Sequence, residues 1–175
     1  IQCNFLINAS GLHTEDVANR IEGIKLPKIK TVMYAKGHYY LYKKKNPFKH
    51  LIYPLPSSNG HGIHAGMDIE NNLRFGPNAK WVDSIEYSFD ENTLEEFCNS
   101  IKSYWINFDP LCLTPDYTGI RSKIVAEGEG SQDFEILDAS DHGLENLVHL
   151  QGIDSPGLTS SLSIAAEVIN KLGIH

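Results

Sequence analysis

Arg121 sits in a strand-like run between Ile120 and Ile124. A guanidinium does not shed its proton and needs charge-assisted bonds, so an arginine in such a run calls for a carboxylate partner. That partner is either a structural Asp or Glu or the carboxylate of a substrate, and the spacing leaves both open. His64, in Gly62-Ile63-His64, can act as a general base or a substrate donor, or be a histidine satisfied within a sheet. His61 precedes it by three residues, and strand alternation sends the two rings to opposite faces. Even with Asp68 beyond, structural zinc wants four convergent ligands, so no metal site is expected. Ser155 stands in a turn before a helix, but the glycines around it do not have the spacing of a nucleophile elbow. No Gly-x-Gly-x-x-Gly or phosphate-loop sequence occurs in the 175 residues.

Two stretches offer backbone chemistry instead. In Gly152 to Leu162, Pro156 and Gly157 punctuate, and Leu158, Leu162, Ala165, Ile169 and Leu172 then recur at the period of one buried helix face. The apolar run Leu147-Val148-His149-Leu150 before it has the length of a strand. Strand, glycine turn and helix in succession put free N–H groups and a positive dipole end at the turn, which suits an anion or a polar cofactor edge. Near the N-terminus, Cys3 to Ile7 reads as a buried strand. It ends at Asn8-Ala9-Ser10-Gly11, whose small residues allow close backbone approach. Thr14 then caps a short helix with Glu15 and Asp16 in its first turn and Val17 and Ile21 on its inner face.

Gly23 to Lys30, with Pro27, is a linker into another layer. From Thr31 to about Phe75 the pattern is β: Val32-Met33-Tyr34, His38 to Tyr42, Leu51-Ile52-Tyr53, Gly62-Ile63-His64 and Leu73-Arg74-Phe75, with a tight turn at Asn71-Asn72. Thr93-Leu94-Glu95-Glu96 matches a capping box, and Leu94, Phe97, Ile101, Tyr104 or Trp105, and Phe108 follow at helical spacing until Asp109-Pro110. Gly119 to Val125 and Phe134 to Leu137 are further strands.

An apolar fraction of 41% is enough to bury a core, and 15 basic against 22 acidic residues give a net charge of −7, the wrong sign for gripping phosphate backbones. Nucleic acid is not an expected partner. No apolar run approaches a membrane span, and Cys3, Cys98 and Cys112 are too few and too scattered for a disulfide framework. The expectation is a cytoplasmic protein with reduced thiols and no membrane association.

Several segments, taken in order, resemble a known family. They are Phe5 to His13, Lys36-Gly37-His38-Tyr39-Tyr40, Leu51 to Pro56, Gly62-Ile63-His64, Phe75 to Ala79, Tyr117-Thr118-Gly119-Ile120-Arg121 and Gly152 to Thr159. Together they are similar to the C-terminal half of FAD-dependent oxidoreductases of the D-amino-acid oxidase superfamily, most of all the L-2-hydroxyglutarate dehydrogenase or oxidase branch. The implied fold is α+β, a mixed-sheet substrate domain with a strand and C-terminal helix from an incomplete FAD-binding domain. The implied division is 1–24 in the FAD domain, 25–125 as the substrate domain and 126–175 returning to the FAD domain.

The resemblance also implies roles. Ala9, Ser10 and Gly11 would pass close to the FAD. Gly152, Ile153, Ser155, Pro156, Gly157, Leu158 and Thr159 would lie against the flavin, with the helix after Pro156 turning N–H groups to its carbonyl edge. Arg121 would clamp a substrate carboxylate, with Lys36, Tyr40 and His64 lining the pocket. The chemistry of Arg121 agrees, because a bidentate guanidinium can orient a 2-hydroxy acid with its α-carbon toward the flavin. The base is His64 or a histidine of the N-terminal half. The implied reaction oxidises a small 2-hydroxy acid, L-2-hydroxyglutarate-like, by hydride transfer to flavin. The alternatives are an amino-acid or amine oxidase of the same superfamily, and a non-catalytic carboxylate-binding module. Ser122 stands where many members of the family have proline. The family's dinucleotide fingerprint is missing, so the chain reads as a fragment whose partner is the N-terminal half, inactive alone and binding FAD weakly or not at all.

Overall fold

A computed structural model describes residues 2–55, 62–130 and 132–174. In chain order its elements are β1 (Leu6–Asn8), α1 (Thr14–Ala18), β2 (Met33–Tyr42), β3 (Ala65–Met67), β4 (Leu73–Phe75), β5 (Lys80–Val82), α2 (Leu94–Lys102), β6 (Leu113–Lys123), β7 (Glu135–Leu137), α3 (Ala139–His142), β8 (Leu147–Gln151) and α4 (Ser161–Lys171). They form two compact units, Ile1–Tyr34 with Arg121–His175, and Ala35–Ile120. Both boundaries fall inside long strands, β2 and β6, whereas the sequence pointed to the Gly23–Lys30 linker and to the loop after Val125.

In the first unit β8 is the central strand. It pairs parallel with β1, setting Asn8 beside His149, and antiparallel with β7, setting Leu137 beside the same histidine. Every residue of β8 is buried, as a strand covered on both faces should be. Val148 and Leu150 pack on Ile164 and Val168 of α4, on Leu172 just after it, and on Ile136 and Ile153. The inward stripe is therefore Ile164, Val168 and Leu172, with Val168 buried and the other two partly so. The expected stripe is largely solvated, with Leu158 91%, Leu162 85% and Ile169 48% exposed. Leu158 precedes the helix, which begins only at Ser161, so a phase counted from it is displaced. A second correction concerns β1: Phe5, Leu6 and Ile7 are 43%, 42% and 48% exposed. This strand is at the edge of its three-stranded sheet and pairs only with β8. Thr14 does not cap α1, since His13 holds the cap position. The Thr14 hydroxyl instead donates to the Leu150 carbonyl at 2.7 Å, tying the helix to β8.

The second unit is built on a five-stranded sheet in the order β3-β4-β2-β5, with β6 also on β2. The two aromatic runs expected around residues 32–42 are one strand, β2. Tyr40 and Tyr42 alternate inward from it, onto Phe75, Phe97, Ile101, Phe108 and Leu113. Phe97 is fully buried, and burying a side chain of that size contributes roughly 1.5–3 kcal/mol. The β3–β4 turn uses Asn71 at φ 66°. Asp68 Oδ1 accepts the N–H groups of Glu70 and Asn72 across it, and the Asn72 side-chain amide, donating to Oδ2 at 2.9 Å, is the main cause that holds the Asp68 carboxyl down to about 2, helped by those backbone bonds and by Arg74. The capping box at Thr93 does not form. The Thr93 hydroxyl donates to the Asp90 carbonyl at 2.7 Å and meets the Tyr40 hydroxyl at 3.0 Å, while Glu96 accepts from Asn78. Leu51-Ile52-Tyr53 supplies only a single bridge, Ile52 to Ala65.

Candidate functional site

Parallel pairing brings the carboxyl ends of β1 and β8 side by side, the place where open α/β sheets bind ligands. Beyond Asn8 the chain turns through Ala9-Ser10-Gly11, and beyond Gln151 through Gly152-Ile153. Gly11 at φ 59° and Gly152 at φ 70° are left-handed, which only glycine adopts freely. Between the two turns lies a cleft of about 200 Å³ lined by Ala9, Gly11, Ser122, Leu150, Gln151, Gly152 and Ile153. A Cβ on Gly11 would meet nothing within 4 Å, so backbone faces open space there. A Cβ on Gly152 would lie 2.6 Å from Ile124 Cδ1, so that turn is pressed against the unit's own core.

The rim is held by side chains that secondary-structure reasoning had not marked. Ser122 donates to the Gly11 carbonyl at 3.3 Å, tying β6 to the first turn. Lys123 pairs with Asp154 at 2.5 Å behind the second turn. Asn8 accepts the Ser10 N–H and hydroxyl at 3.3 and 2.6 Å. Asn8, His149 and Gln151 are 2%, 0% and 1% exposed. The signal of His149 and Gln151 in the sequence was polar residues at alternate positions of the run Leu147 to Gln151, which is unusual unless they are hydrogen-bonded.

Of the residues expected to face the cofactor, the structure brings Ala9, Gly11, Gly152 and Ile153 together at the cleft, with Ser10 in the same turn. Ser155, Pro156, Gly157, Leu158 and Thr159 are outside its lining. They form a turn closed by Gly157 N–H to the Asp154 carbonyl and Ser160 N–H to the Pro156 carbonyl, so the helix does not follow Pro156 directly. Gly157 is buried in this turn, while Ser155, Pro156, Leu158 and Thr159 face solvent.

Arg121 is half-buried on β6 in the first unit. Alternation aims it to the face opposite Ser122, and among the described residues no carboxylate lies within ion-pair distance of it. Arg74, by contrast, is paired with both Asp68 and Asp116. Lys36, Tyr40 and His64 belong to the second unit. Lys36 is only 6% exposed, and among the described residues its ammonium has just one hydrogen-bond partner, the Ser88 hydroxyl at 3.4 Å. Tyr40 is 1% exposed and its hydroxyl is spent on Thr93, so the structure puts it in the core where a pocket lining was expected. His64 is half-buried with its ring 4.2 Å from that of Tyr53. His61 lies outside the described residues, and among those described no cluster of His, Cys, Asp and Glu could hold a metal.

Known proteins give this geometry a context. The family model described as FAD dependent oxidoreductase (DAO) matches residues 1–171. The chain belongs to that family. It is 33% identical over 180 residues to the mitochondrial L-2-hydroxyglutarate dehydrogenase of Arabidopsis thaliana, covering 96% of this chain and 37% of that protein. It is also 28% identical over 178 residues to the glycerol 3-phosphate dehydrogenase of Caloramator mitchellensis, covering 96% and 33%. Among solved structures, dithionite-reduced L-alpha-glycerophosphate oxidase from Mycoplasma pneumoniae with FAD bound superimposes with a TM-score of 0.78 at 18% identity, over 97% of this chain and 42% of that one. The match shows a shared fold, mixed α/β with mixed sheets. The chain spans about a third of the length of these two relatives. FAD is the cofactor of the family, and the cleft suits a part of it: small residues and bare backbone leave room for a flat ring to approach. At about 200 Å³ the cleft is smaller than the roughly 300–1,000 Å³ of a drug-sized ligand site, so it can take only a portion of a dinucleotide. Among the described residues no helix is long and apolar enough to cross a membrane.

Proposed function

We propose that this chain is the substrate-binding and C-terminal part of an FAD-dependent oxidoreductase that oxidises a small anionic 2-hydroxy acid, L-2-hydroxyglutarate-like, and whose dinucleotide-binding half lies in an N-terminal portion of the whole protein. The carrying observation is Arg121, half-buried on β6 of the first unit with no carboxylate within ion-pair distance among the described residues. A buried cation is costly unless it is paired. Elsewhere in the chain Lys30, Lys80 and Lys171 each hold a carboxylate within 2.9 Å. A substrate carboxylate answers that need, and Arg121 would bind it bidentately, orienting the carbon that bears the hydroxyl.

Ala9, Ser10, Gly11, Gly152 and Ile153 would hold the flavin end of the cofactor, which supplies a hydride acceptor when bound. Their contribution is a close-packed, water-excluding wall. A histidine of the N-terminal portion would take the hydroxyl proton. Tyr40 would support the sheet from within its core. The similarity to glycerol 3-phosphate dehydrogenase favours a second reading, in which Arg121 receives the phosphate of a phosphorylated alcohol. The test is a panel on the full-length, flavin-loaded protein: L-2-hydroxyglutarate and its D form, glycerol 3-phosphate, and representative amino acids. Turnover confined to L-2-hydroxy acids supports the proposal. Turnover of glycerol 3-phosphate alone supports the second reading, and turnover only of amines overturns both.

A further inference from the structure

The polar residues of the first unit form one continuous chain whose donors and acceptors can be assigned without choice. Asn8 Nδ2 donates to the Thr14 carbonyl at 2.9 Å, and its Oδ1 accepts the Ser10 N–H. A carbonyl only accepts and an N–H only donates, so the Asn8 amide has a single orientation. Its Nδ2 also lies 3.0 Å from His149 Nδ1, which must therefore be an acceptor. At the other end Gln151 Oε1 accepts the Lys30 N–H at 3.0 Å, and its Nε2 donates to the Lys28 carbonyl at 3.1 Å and to Glu135 at 2.6 Å. That fixes Gln151 as well, and His149 Nε2, 3.3 Å from its Oε1, must be a donor. Two independent backbone anchors thus require the same thing of His149, a neutral ring with its proton on Nε2.

We propose that Asn8 is the positioning residue for the cofactor-facing Ala9–Ser10–Gly11 turn, and that the Nε2–H tautomer of His149 holds it there, so that protonation of His149 releases the turn and weakens flavin binding. A second proton would place an Nδ1–H against the Asn8 Nδ2 donor. Turning the Asn8 amide over would remove that conflict, but it would leave both the Thr14 carbonyl and the Ser10 N–H with the wrong partner. The turn that lines the cleft thereby responds to a ring that does not itself line it. This rests on the flavin role proposed above for that turn.

The surroundings oppose protonation. Burial lowers the His149 pKa, against the Gln151 bond that raises it, and His142 of α3 lowers it further. Glu135 of β7 reaches His149 only through Gln151 and is itself paired with Lys30 at 2.6 Å. On α1, Glu15 accepts from Val32 and Thr31, and Asp16 lies beside His13. The α4 residues packed on β8 are apolar.

The experiment measures the flavin Kd of the full-length protein by fluorescence from pH 8 to pH 5, with circular dichroism confirming that the fold persists over the range. For the unmodified protein, Kd should rise at least about tenfold on acidification. In His149→Asn the amide oxygen replaces Nδ1 as acceptor but does not titrate, so Kd at pH 8 should stay within about threefold and the acid loss should vanish. Asn8→Ala should weaken binding about tenfold or more already at pH 8 and remove the same pH dependence. An acid response unchanged in His149→Asn overturns the inference while leaving the flavin reading intact, whereas a protein that binds no flavin at any pH overturns the flavin reading and this inference with it. Should His149→Asn fail to fold, ¹⁵N shifts of histidine-labelled protein decide. A buried neutral Nε2–H ring at pH 7 supports the network, and an Nδ1–H tautomer or an imidazolium there overturns it.

Discussion

Gly152→Ala tests the wall of the cleft. Its backbone sits at φ 70°, a region that costs a residue with a Cβ about 1–2 kcal/mol. The added methyl would also lie 2.6 Å from Ile124 Cδ1 and 2.8 Å from Cγ1. Ile124 is itself buried at 7% exposure, so the clash adds an overpacking penalty of about 1–3 kcal/mol. The expected loss of unfolding free energy is therefore about 2–5 kcal/mol, read from the urea midpoint at constant slope. Ile124→Ala alone should cost about 2–5 kcal/mol as a large-to-small core change. The double variant should be less damaged than the sum of the two, by the overpacking part, about 1–3 kcal/mol, because both Ile124 atoms that meet the new methyl are gone. The left-handed backbone cost would remain. A Gly152→Ala protein within about 0.5 kcal/mol of the parent, the range of an innocuous surface change, would refute both the turn geometry and the contact. Strict additivity in the cycle would refute the contact alone.

Two further outcomes follow from the charges. Arg121→Ala in the full-length enzyme should lower kcat/KM for an anionic substrate about 10–100-fold, the equivalent of about 1.5–3 kcal/mol for a lost hydrogen bond to a charged group; unchanged turnover would remove the clamp. Acidification should destabilise the protein from about pH 6.5 downward. Burial depresses the His149 and His38 pKa values in the folded state, the latter against the Asn78 bond that raises it. The unfolded chain thus takes up protons first, and stability present above the unfolded pKa of about 6.5 is lost as the pH falls through the folded values. Asp68 and Asp90, lowered from 3.8 to about 2 by their hydrogen bonds, lose their contribution only between those values. Urea midpoints that rose between pH 7.5 and 5.5 would contradict the assignment of neutral histidines.

Much of the fold was legible where one physical signal dominated. Leu147 to Leu150 is a strand because a short apolar run can be buried on both faces, and the Asn71-Asn72 turn follows from residues that tolerate positive φ. Phe97 and Ile101 face the core as their spacing requires, but α2 ends at Lys102. Tyr104, Trp105 and Phe108 join the same cluster from beyond it, since aromatic packing does not depend on helix continuation. The α4 stripe was misphased because Leu158 and Leu162 are apolar without being buried, and nothing local distinguishes them from Ile164 and Val168. The small residues at Ala9, Gly11 and Gly152 announced a close approach. What brings them to one cleft is the parallel register of Leu6 to Asn8 on Leu147 to His149, a long-range pairing that no local pattern encodes. Asn8 acquires its role from the same pairing, and Ser122 acquires its role from a contact between β6 and the turn at Gly11, so both were invisible one segment at a time.

The most direct test of the central claim is anaerobic mixing of the full-length, flavin-loaded protein with L-2-hydroxyglutarate while the oxidised flavin absorbance is followed. Rapid and complete bleaching, slowed by Arg121→Ala and absent with the D form, is the predicted result. A flavin that stays oxidised with every 2-hydroxy acid but bleaches with glycerol 3-phosphate or an amino acid would contradict the account.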